Sequence, residues 1–349
     1  RSNLTMMVKK ERRGALIGCG FFSHNHLHAW RQLDGVAIVA LCDTDDKRLA
    51  DTAQMFGITK TYHDASVMLA SENLDFVDIA TTVGSHRMLV EAAAAASVAC
   101  ICQKPFAKSM ADAQAMVDVC ARANVPLMVH ENFRWQTPVQ AVRRAIDEGA
   151  VGTPFWGRFS FRSAYDVYKT QPYLAESQRF IIEDLGIHIL DVARYVLGDV
   201  RTLSATTQRV NPRIAGEDVA TMLLQHASGA TSVVDCSYAS PRVEEVFPQT
   251  LIEIDGSEGS LRLDAGYRLT RYNRSGGVRT TSCEPPLHAW AERPWFNIQD
   301  SVLNIQAHWL TCLSESREPQ TSGRDNLRTL ALVEAAYLSA DLGQAARQV

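Results

Sequence analysis

The sequence predicts an α/β protein of two domains, a doubly wound parallel sheet followed by an α+β domain with a large, mostly antiparallel sheet. Three observations predict it. From Ala15 to Val129, short apolar runs alternate with helical stretches. Beyond Thr153 the runs lengthen, alternate apolar with polar residues, and are separated by Ser-Gly and Gly-Ser turns. The length of 349 residues exceeds one typical hydrophobic core.

The parallel strands fall at Ala15–Cys19, Val36–Cys42, Phe76–Ile79, Val98–Cys102 and Leu127–Val129, each a short apolar run suited to burial on both faces. Helical periodicity places helices at Asp46–Phe56, Ser85–Ala96 and Met110–Ala123, with Gly57 and Asn124 as terminators. A first domain thus spans 11–130. After a helix near Val139–Glu148, strands are expected at Thr153–Ser163, Val219–His226, Ala230–Ser237, Thr250–Asp255 and Gly259–Asp264. A closing helix at Arg324–Leu342 completes a second domain of 131–349. Residues 1–10 lack an apolar centre and are expected to be a leader or a cloning remnant, outside the fold.

Composition excludes several classes. With 46% hydrophobic residues and a formal net charge of -4, no basic excess draws nucleic acid. The longest apolar run, Ala92–Cys102, is too short to span a bilayer, so no membrane partner is expected. The 8 cysteines show no Cys-x-x-Cys pairing and several fall in expected strands, which favours a reducing, cytoplasmic setting. His24 and His28 share a helix face, but a metal site needs three or four ligands and no further one is evident. No metal is expected.

The most informative stretch runs from Gly14 to Asp43. An apolar strand enters Gly18-Cys19-Gly20-Phe21-Phe22-Ser23, a helix follows, and a second strand ends in Asp43. Gly18 permits the tight turn and Gly20 lets backbone approach a pyrophosphate, which the helix N-terminus then faces. Asp43, about twenty residues beyond the loop, suits the adenosine ribose. This is the layout of a Rossmann dinucleotide site, with Phe21 and Phe22 completing its loop and Ser23 standing where a third glycine is usual. The Asp43 carboxylate repels a 2′-phosphate and Thr44-Asp45-Asp46 brings no arginine, so NAD is preferred to NADP.

Ligands of such sheets sit beyond the carboxyl ends of the strands. The polar groups there are Thr81-Thr82-Val83-Gly84-Ser85-His86, Gln103-Lys104-Pro105 and Glu131-Asn132-Phe133-Arg134. A fourth group, Asp184-Leu185-Gly186-Ile187-His188, leads into an apolar helix on which Asp184 and His188 share a face.

Over nearly its whole length the chain resembles the Gfo/Idh/MocA oxidoreductases, which act on sugars and polyols with a nicotinamide cofactor. The nucleotide fingerprint with a following histidine matches Gly18, Gly20 and His26. A Thr-Pro-x-x-x-His motif matches Thr81 and His86, with Thr82 in place of proline. A Glu-Lys-Pro motif matches Gln103-Lys104-Pro105, with glutamine in place of glutamate, and Asp-x-Gly-x-His is met in full by Asp184, Gly186 and His188, with Asp191 following. Gly256-Ser257-Glu258-Gly259-Ser260 resembles a turn of the family's second domain.

The resemblance implies that Gly18, Gly20, Phe21, Phe22, Asp43, Thr81, His86, Gln103 and Lys104 hold the cofactor and that Lys104, Asp184 and His188 form the reaction centre. Oxidising a hydroxyl sends a hydride to nicotinamide and a proton to a base. Histidine as a residue type has an unperturbed pKa near neutrality, so His188 suits that base, and Lys104 suits hydrogen bonding to the same oxygen; the two roles are open to exchange. Read singly, Lys104 is also compatible with a surface lysine, His188 with a core histidine and Asp184 with a helix N-cap. Sugar contacts are expected from Arg134, Arg162, Tyr165, Arg179 and His288, in a cleft that joins the domains. The implied function is an NAD-dependent sugar or polyol dehydrogenase forming a homodimer or homotetramer. The rivals are a non-catalytic NAD and sugar sensor and a redox-neutral glycosidase or isomerase that retains NAD.

Overall fold

The structure is a computed structural model that describes residues 10–343 and 345–349. The leader expected at 1–10 therefore lies outside the described residues except for Lys10. The described residues up to His130, with Ile305–Arg324, form one compact unit; Glu131–Asn304 with Asp325–Val349 form the other.

In the first unit six strands, β1 (Arg12–Ile17), β2 (Val36–Cys42), β3 (Lys60–Tyr62), β4 (Phe76–Ile79), β5 (Ala99–Gln103) and β6 (Leu127–His130), form a wholly parallel sheet in the order β3-β2-β1-β4-β5-β6. The helices between them are α1 (Ser23–Gln32), α2 (Asp46–Phe56), α3 (Ala65–Ser71), α4 (His86–Ala95) and α5 (Met110–Ala123). Their ends follow local chemistry. Asp45 caps α2 by accepting the Arg48 N–H, and Gly57 ends it with φ 65°; Ser109 caps α5, and Asn124 ends it with φ 54°.

Register aligns the carboxyl ends of the strands. Ile17 pairs with both Cys42 and Ile79, Ile79 with Cys102, and Cys102 with Val129. The next residue of each strand, Gly18, Asp43, Ala80, Gln103 and His130, consequently falls in one row along the edge of the sheet. Beneath that edge a core of Leu16, Cys19, Leu27, Leu41, Leu49 and Phe56 excludes water.

The second unit contains a nine-stranded sheet, β14-β13-β12-β11-β7-β10-β9-β8-β15, antiparallel apart from the β7–β10 pair. Its strands are β7 (Pro154–Arg162), β8 (Val200–Gln208), β9 (Val219–His226), β10 (Thr231–Ser237), β11 (Leu251–Gly256), β12 (Gly259–Asp264), β13 (Arg268–Asn273), β14 (Val278–Ser282) and β15 (Arg347–Gln348). Helix α6 (Thr137–Asp147) precedes the sheet and α7 (Ile187–Leu197) is inserted between β7 and β8. α8 (Phe296–Glu315) and α9 (Gly323–Asp341) follow β14.

The division at 130/131 needs one correction: Ile305–Arg324 belongs with the first unit. Trp309, fully buried, packs edge-on against Phe76, and Gln306 donates to the His26 carbonyl, so this segment completes the first unit's interior. Among the described residues no helix is long and apolar enough to cross a membrane.

Candidate active site

In the first unit the loop from Gly18 to Phe22 joins β1 to α1. Gly18 has φ 98°, and a Cβ there would lie 2.8 Å from the Ala80 carbonyl carbon, so the position admits glycine alone. At Gly20 a Cβ would meet nothing within 4 Å, which leaves bare backbone open to an approaching group. Ser23, at the third glycine position, is buried and turns its hydroxyl onto the Gly20 carbonyl at 2.6 Å. Phe21 is 66% exposed, while Phe22 meets the His26 ring edge-on. The Asp43 carboxylate accepts the N–H of Cys19 at 2.7 Å and that of Asp45 at 2.8 Å, fixing the loop against the end of β2. Glycine loop, helix start and acid have the chemistry that an NAD pyrophosphate and ribose require.

His86 holds two further loops together, with Nε2 3.0 Å from the Thr81 carbonyl and Nδ1 3.0 Å from that of Phe106. Burial lowers its pKa, while its hydrogen bonds to the Thr81 and Phe106 carbonyls act in the opposite direction. Ser85 donates to the Thr81 hydroxyl at 2.7 Å.

Gln103 occupies the usual glutamate position, and its surroundings explain the exchange. Its Oε1 accepts the Lys104 backbone N–H at 2.8 Å, which turns its amide nitrogen toward His26 Nε2, 3.1 Å away. That nitrogen of His26 must therefore accept, so the ring proton sits on Nδ1, 2.9 Å from Asp78. Trp30 donates to the same Asp78 oxygen at 2.9 Å. Burial works against the Asp78 carboxylate, yet His26 and these hydrogen bonds hold its pKa below the usual value. Sequence reasoning reached His26 through the fingerprint but missed Asp78, an acid inside an apolar strand; that mismatch was the available signal. His24 and His28 pack against Phe56.

In the second unit Asp184 lies in a single π-helical turn, Ile182–Gly186, that runs directly into α7 and His188. Its backbone N–H donates to the Phe180 carbonyl at 2.8 Å. Burial, followed by the Asp184 charge, raises the pKa of the Tyr238 phenol. Tyr238 stacks on Phe180 and meets Phe161, which meets Phe247; Tyr165 stacks on Phe247 at 4.1 Å with Trp295 edge-on. An aromatic chain therefore leads from Tyr165 to the neighbourhood of Asp184.

His188 is 6% exposed. Its Nδ1 is hydrogen-bonded to the carboxylate of Glu131, which is wholly buried, and its ring stacks on Phe133 at 3.9 Å with 9° between the planes. Sequence reasoning placed Glu131 and Phe133 beyond the end of a strand but gave neither a role.

The remaining expected sugar contacts have partners of their own. Arg134 is gripped by both Asp191 oxygens at 2.8 and 2.7 Å and by Asp325 at 3.3 Å. Burial opposes its charge, but these acids raise its pKa above the usual value, which gives it a structural place inside the unit. Arg162 binds Asp235 and Ser240. Arg179, exposed, pairs with Glu334 and lies over Tyr337; His288 contacts Asp300 at 2.7 Å and stacks with Trp290.

A family model described as an oxidoreductase family with an NAD-binding Rossmann fold matches residues 12–131, and a Gfo/Idh/MocA C-terminal domain model matches 139–262. The chain is 66% identical over 340 residues to a D-apiose dehydrogenase of Paraburkholderia graminis, covering 97% of this chain and 90% of the relative. It belongs to the Gfo/Idh/MocA family. Another relative, a D-apiose dehydrogenase of Rhizobium rhizogenes, is 60% identical, with 97% of this chain and 98% of that protein covered. A crystallised oxidoreductase of Agrobacterium radiobacter, in complex with NAD+, L-tartaric acid and magnesium, superposes with a TM-score of 0.95 at 59% identity, covering 97% of this chain and 98% of that one. As a Gfo/Idh/MocA protein the chain is an NAD-binding oxidoreductase, and its fold is the family's parallel nucleotide sheet followed by a mostly antiparallel one.

Proposed function

We propose that this protein is an NAD-dependent D-apiose dehydrogenase, oxidising the ring hemiacetal of the aldose to a lactone. The observation that carries the reading is 66% identity, over 97% of the chain, to a protein of that activity. It is supported by the 60% identity to a second D-apiose dehydrogenase and by the nucleotide loop described above.

NAD+ supplies the hydride acceptor when bound. Gly18, Gly20, Phe21, Phe22, Asp43, Thr81 and Gln103 hold it, with His86 arranging two of these loops. Asp43 favours NAD over NADP, because a second negative charge beside that carboxylate is repelled. His188 takes the hydroxyl proton on Nε2 as the C–H bond breaks and the C=O bond forms, and the Lys104 ammonium donates a hydrogen bond to the oxygen while negative charge develops on it. Asp184 orients the sugar, with Tyr165 as a stacking surface. The protein works in the cytoplasm as a homodimer or homotetramer.

A screen of aldoses and polyols with NAD+, followed by NADH absorbance, tests the reading. D-Apiose is expected to give the highest kcat/KM and one NADH per sugar oxidised. Product without accumulating NADH would replace it with a redox-neutral reaction. Binding of NAD+ and sugar without any product would replace it with a sensor. Sedimentation of the purified chain tests the oligomer.

A further inference from the structure

We infer that Glu131 is the positioning residue for His188, holding the imidazole in the tautomer and orientation that make Nε2 the proton acceptor; this rests on the dehydrogenase reading above. Glu131 is the first residue beyond β6 and is wholly buried, and its carboxylate is hydrogen-bonded to His188 Nδ1. An ionised carboxylate only accepts, so Nδ1 carries the proton of the neutral ring and Nε2 presents its lone pair. Phe133, two residues on, stacks on the ring at 3.9 Å and fixes the plane of the imidazole, so the carboxylate and the aromatic face together leave the ring one orientation.

The consequence for the reaction is electrostatic as well as geometric. When Nε2 takes the hydroxyl proton the ring becomes an imidazolium, still donating from Nδ1 to the carboxylate, which stabilises the positive charge as it forms. Proton and charge balance without transfer to Glu131. Within this unit the Arg134 guanidinium, itself engaged by Asp191 and Asp325, interacts with the Glu131 charge, and Asp184 lies one helical turn before His188. Arg134 is engaged by its own carboxylates, and Glu131 is hydrogen-bonded to the imidazole.

The test compares wild type, Glu131→Gln and Glu131→Asp by two readouts. In 15N-histidine NMR of the wild-type chain, His188 is expected to be protonated at Nδ1 when neutral, and this tautomer is expected to lose population in Glu131→Gln. In kinetics with D-apiose and NAD+, Glu131→Gln is expected to lose about 100-fold or more in kcat with a much smaller change in KM, by analogy with other carboxylate–imidazole pairs. Loss of the charge also moves the acidic limb of its pH–kcat profile to lower pH, because a carboxylate favours the protonated ring. Glu131→Asp keeps the charge and recovers part of the rate. An Nε2–H tautomer in the wild type overturns the inference whether or not any variant folds. So does a kcat loss in Glu131→Gln with an unmoved pH limb, which marks a merely structural role. A wild-type chain that oxidises no sugar overturns the function instead, and the tautomer still decides the role of Glu131.

Discussion

The Gln103 amide nitrogen stands 3.1 Å from His26 Nε2, with its Oε1 fixed by the Lys104 N–H at 2.8 Å. Gln103→Glu removes the donor that this pairing needs and sets a carboxylate oxygen against an imidazole lone pair. The variant is expected to lose about 1–3 kcal/mol of stability near pH 8, the usual cost of an unsatisfied buried partner. Urea unfolding of both proteins across pH 6–8 checks the size and the sign; equal stability throughout would refute the tautomer assigned to His26.

Gly18 and Gly20 are expected to fail in different ways when replaced by alanine. Gly18→Ala places a side chain at φ 98° and against the Ala80 backbone, at a cost of about 1–3 kcal/mol or more, seen as a lower melting temperature. Gly20→Ala meets no protein atom, so its melting temperature stays near that of wild type while NAD+ affinity, measured by calorimetry, falls. The reverse pattern would remove the pyrophosphate role from Gly20.

Lys104→Ala and His188→Ala are each expected to lower kcat by about 10²- to 10⁴-fold, the usual range for groups that move or stabilise a proton. NAD+ binding, followed by calorimetry, is expected to change little in either. Full activity in both variants would remove these residues from the reaction.

His130 supplies a pH test. Burial, with the His26 ring stacked 4.1 Å away, pushes its pKa down to about 3 from 6.5. The unfolded chain thus binds a proton between about pH 6.5 and 3 that the folded chain refuses, and this group makes stability fall as pH falls through that window. His130→Gln is expected to reduce the slope of stability against pH there by up to about 1.4 kcal/mol per unit. Parallel wild-type and variant curves would show that His130 is protonated in the fold.

Much of this architecture was legible because the parallel strands are unbroken apolar runs and the helices between them end on Gly57 and Asn124 as expected. What escaped was polar or short. β13 and β14 read Arg-Leu-Thr-Arg-Tyr-Asn and Val-Arg-Thr-Thr-Ser; β14, at the sheet's edge, is exposed throughout and β13 buries only Leu269 and Thr270, so neither shows an apolar stripe. β3 is 3 residues long. α8 carries no acid in its first turn, and its buried polar residues Asn297, Asp300, Ser301 and Gln306 obscure the helical pattern.

The sequence proposes a site where a motif names its chemistry, as at Gly18, Asp43, Lys104 and His188. It was not legible where meaning depends on a partner distant in sequence. Nothing near Glu131 announces that it meets His188, 57 residues on, or that Gln103 faces a ring 77 residues earlier. An arginine beside strand-end polar groups suggests a ligand contact, but Arg134 satisfies Asp191 from within the unit.

The π-helical turn at Ile182–Gly186 makes the alignment of its acid with the following imidazole a matter of residue count. One residue less in that segment would swing everything before it through about 100° around the axis of α7, at 3.6 residues per turn. Insertions and deletions here are therefore expected to abolish turnover and, because Phe180, Ile181, Ile182 and Leu185 are buried, to lower the melting temperature as well.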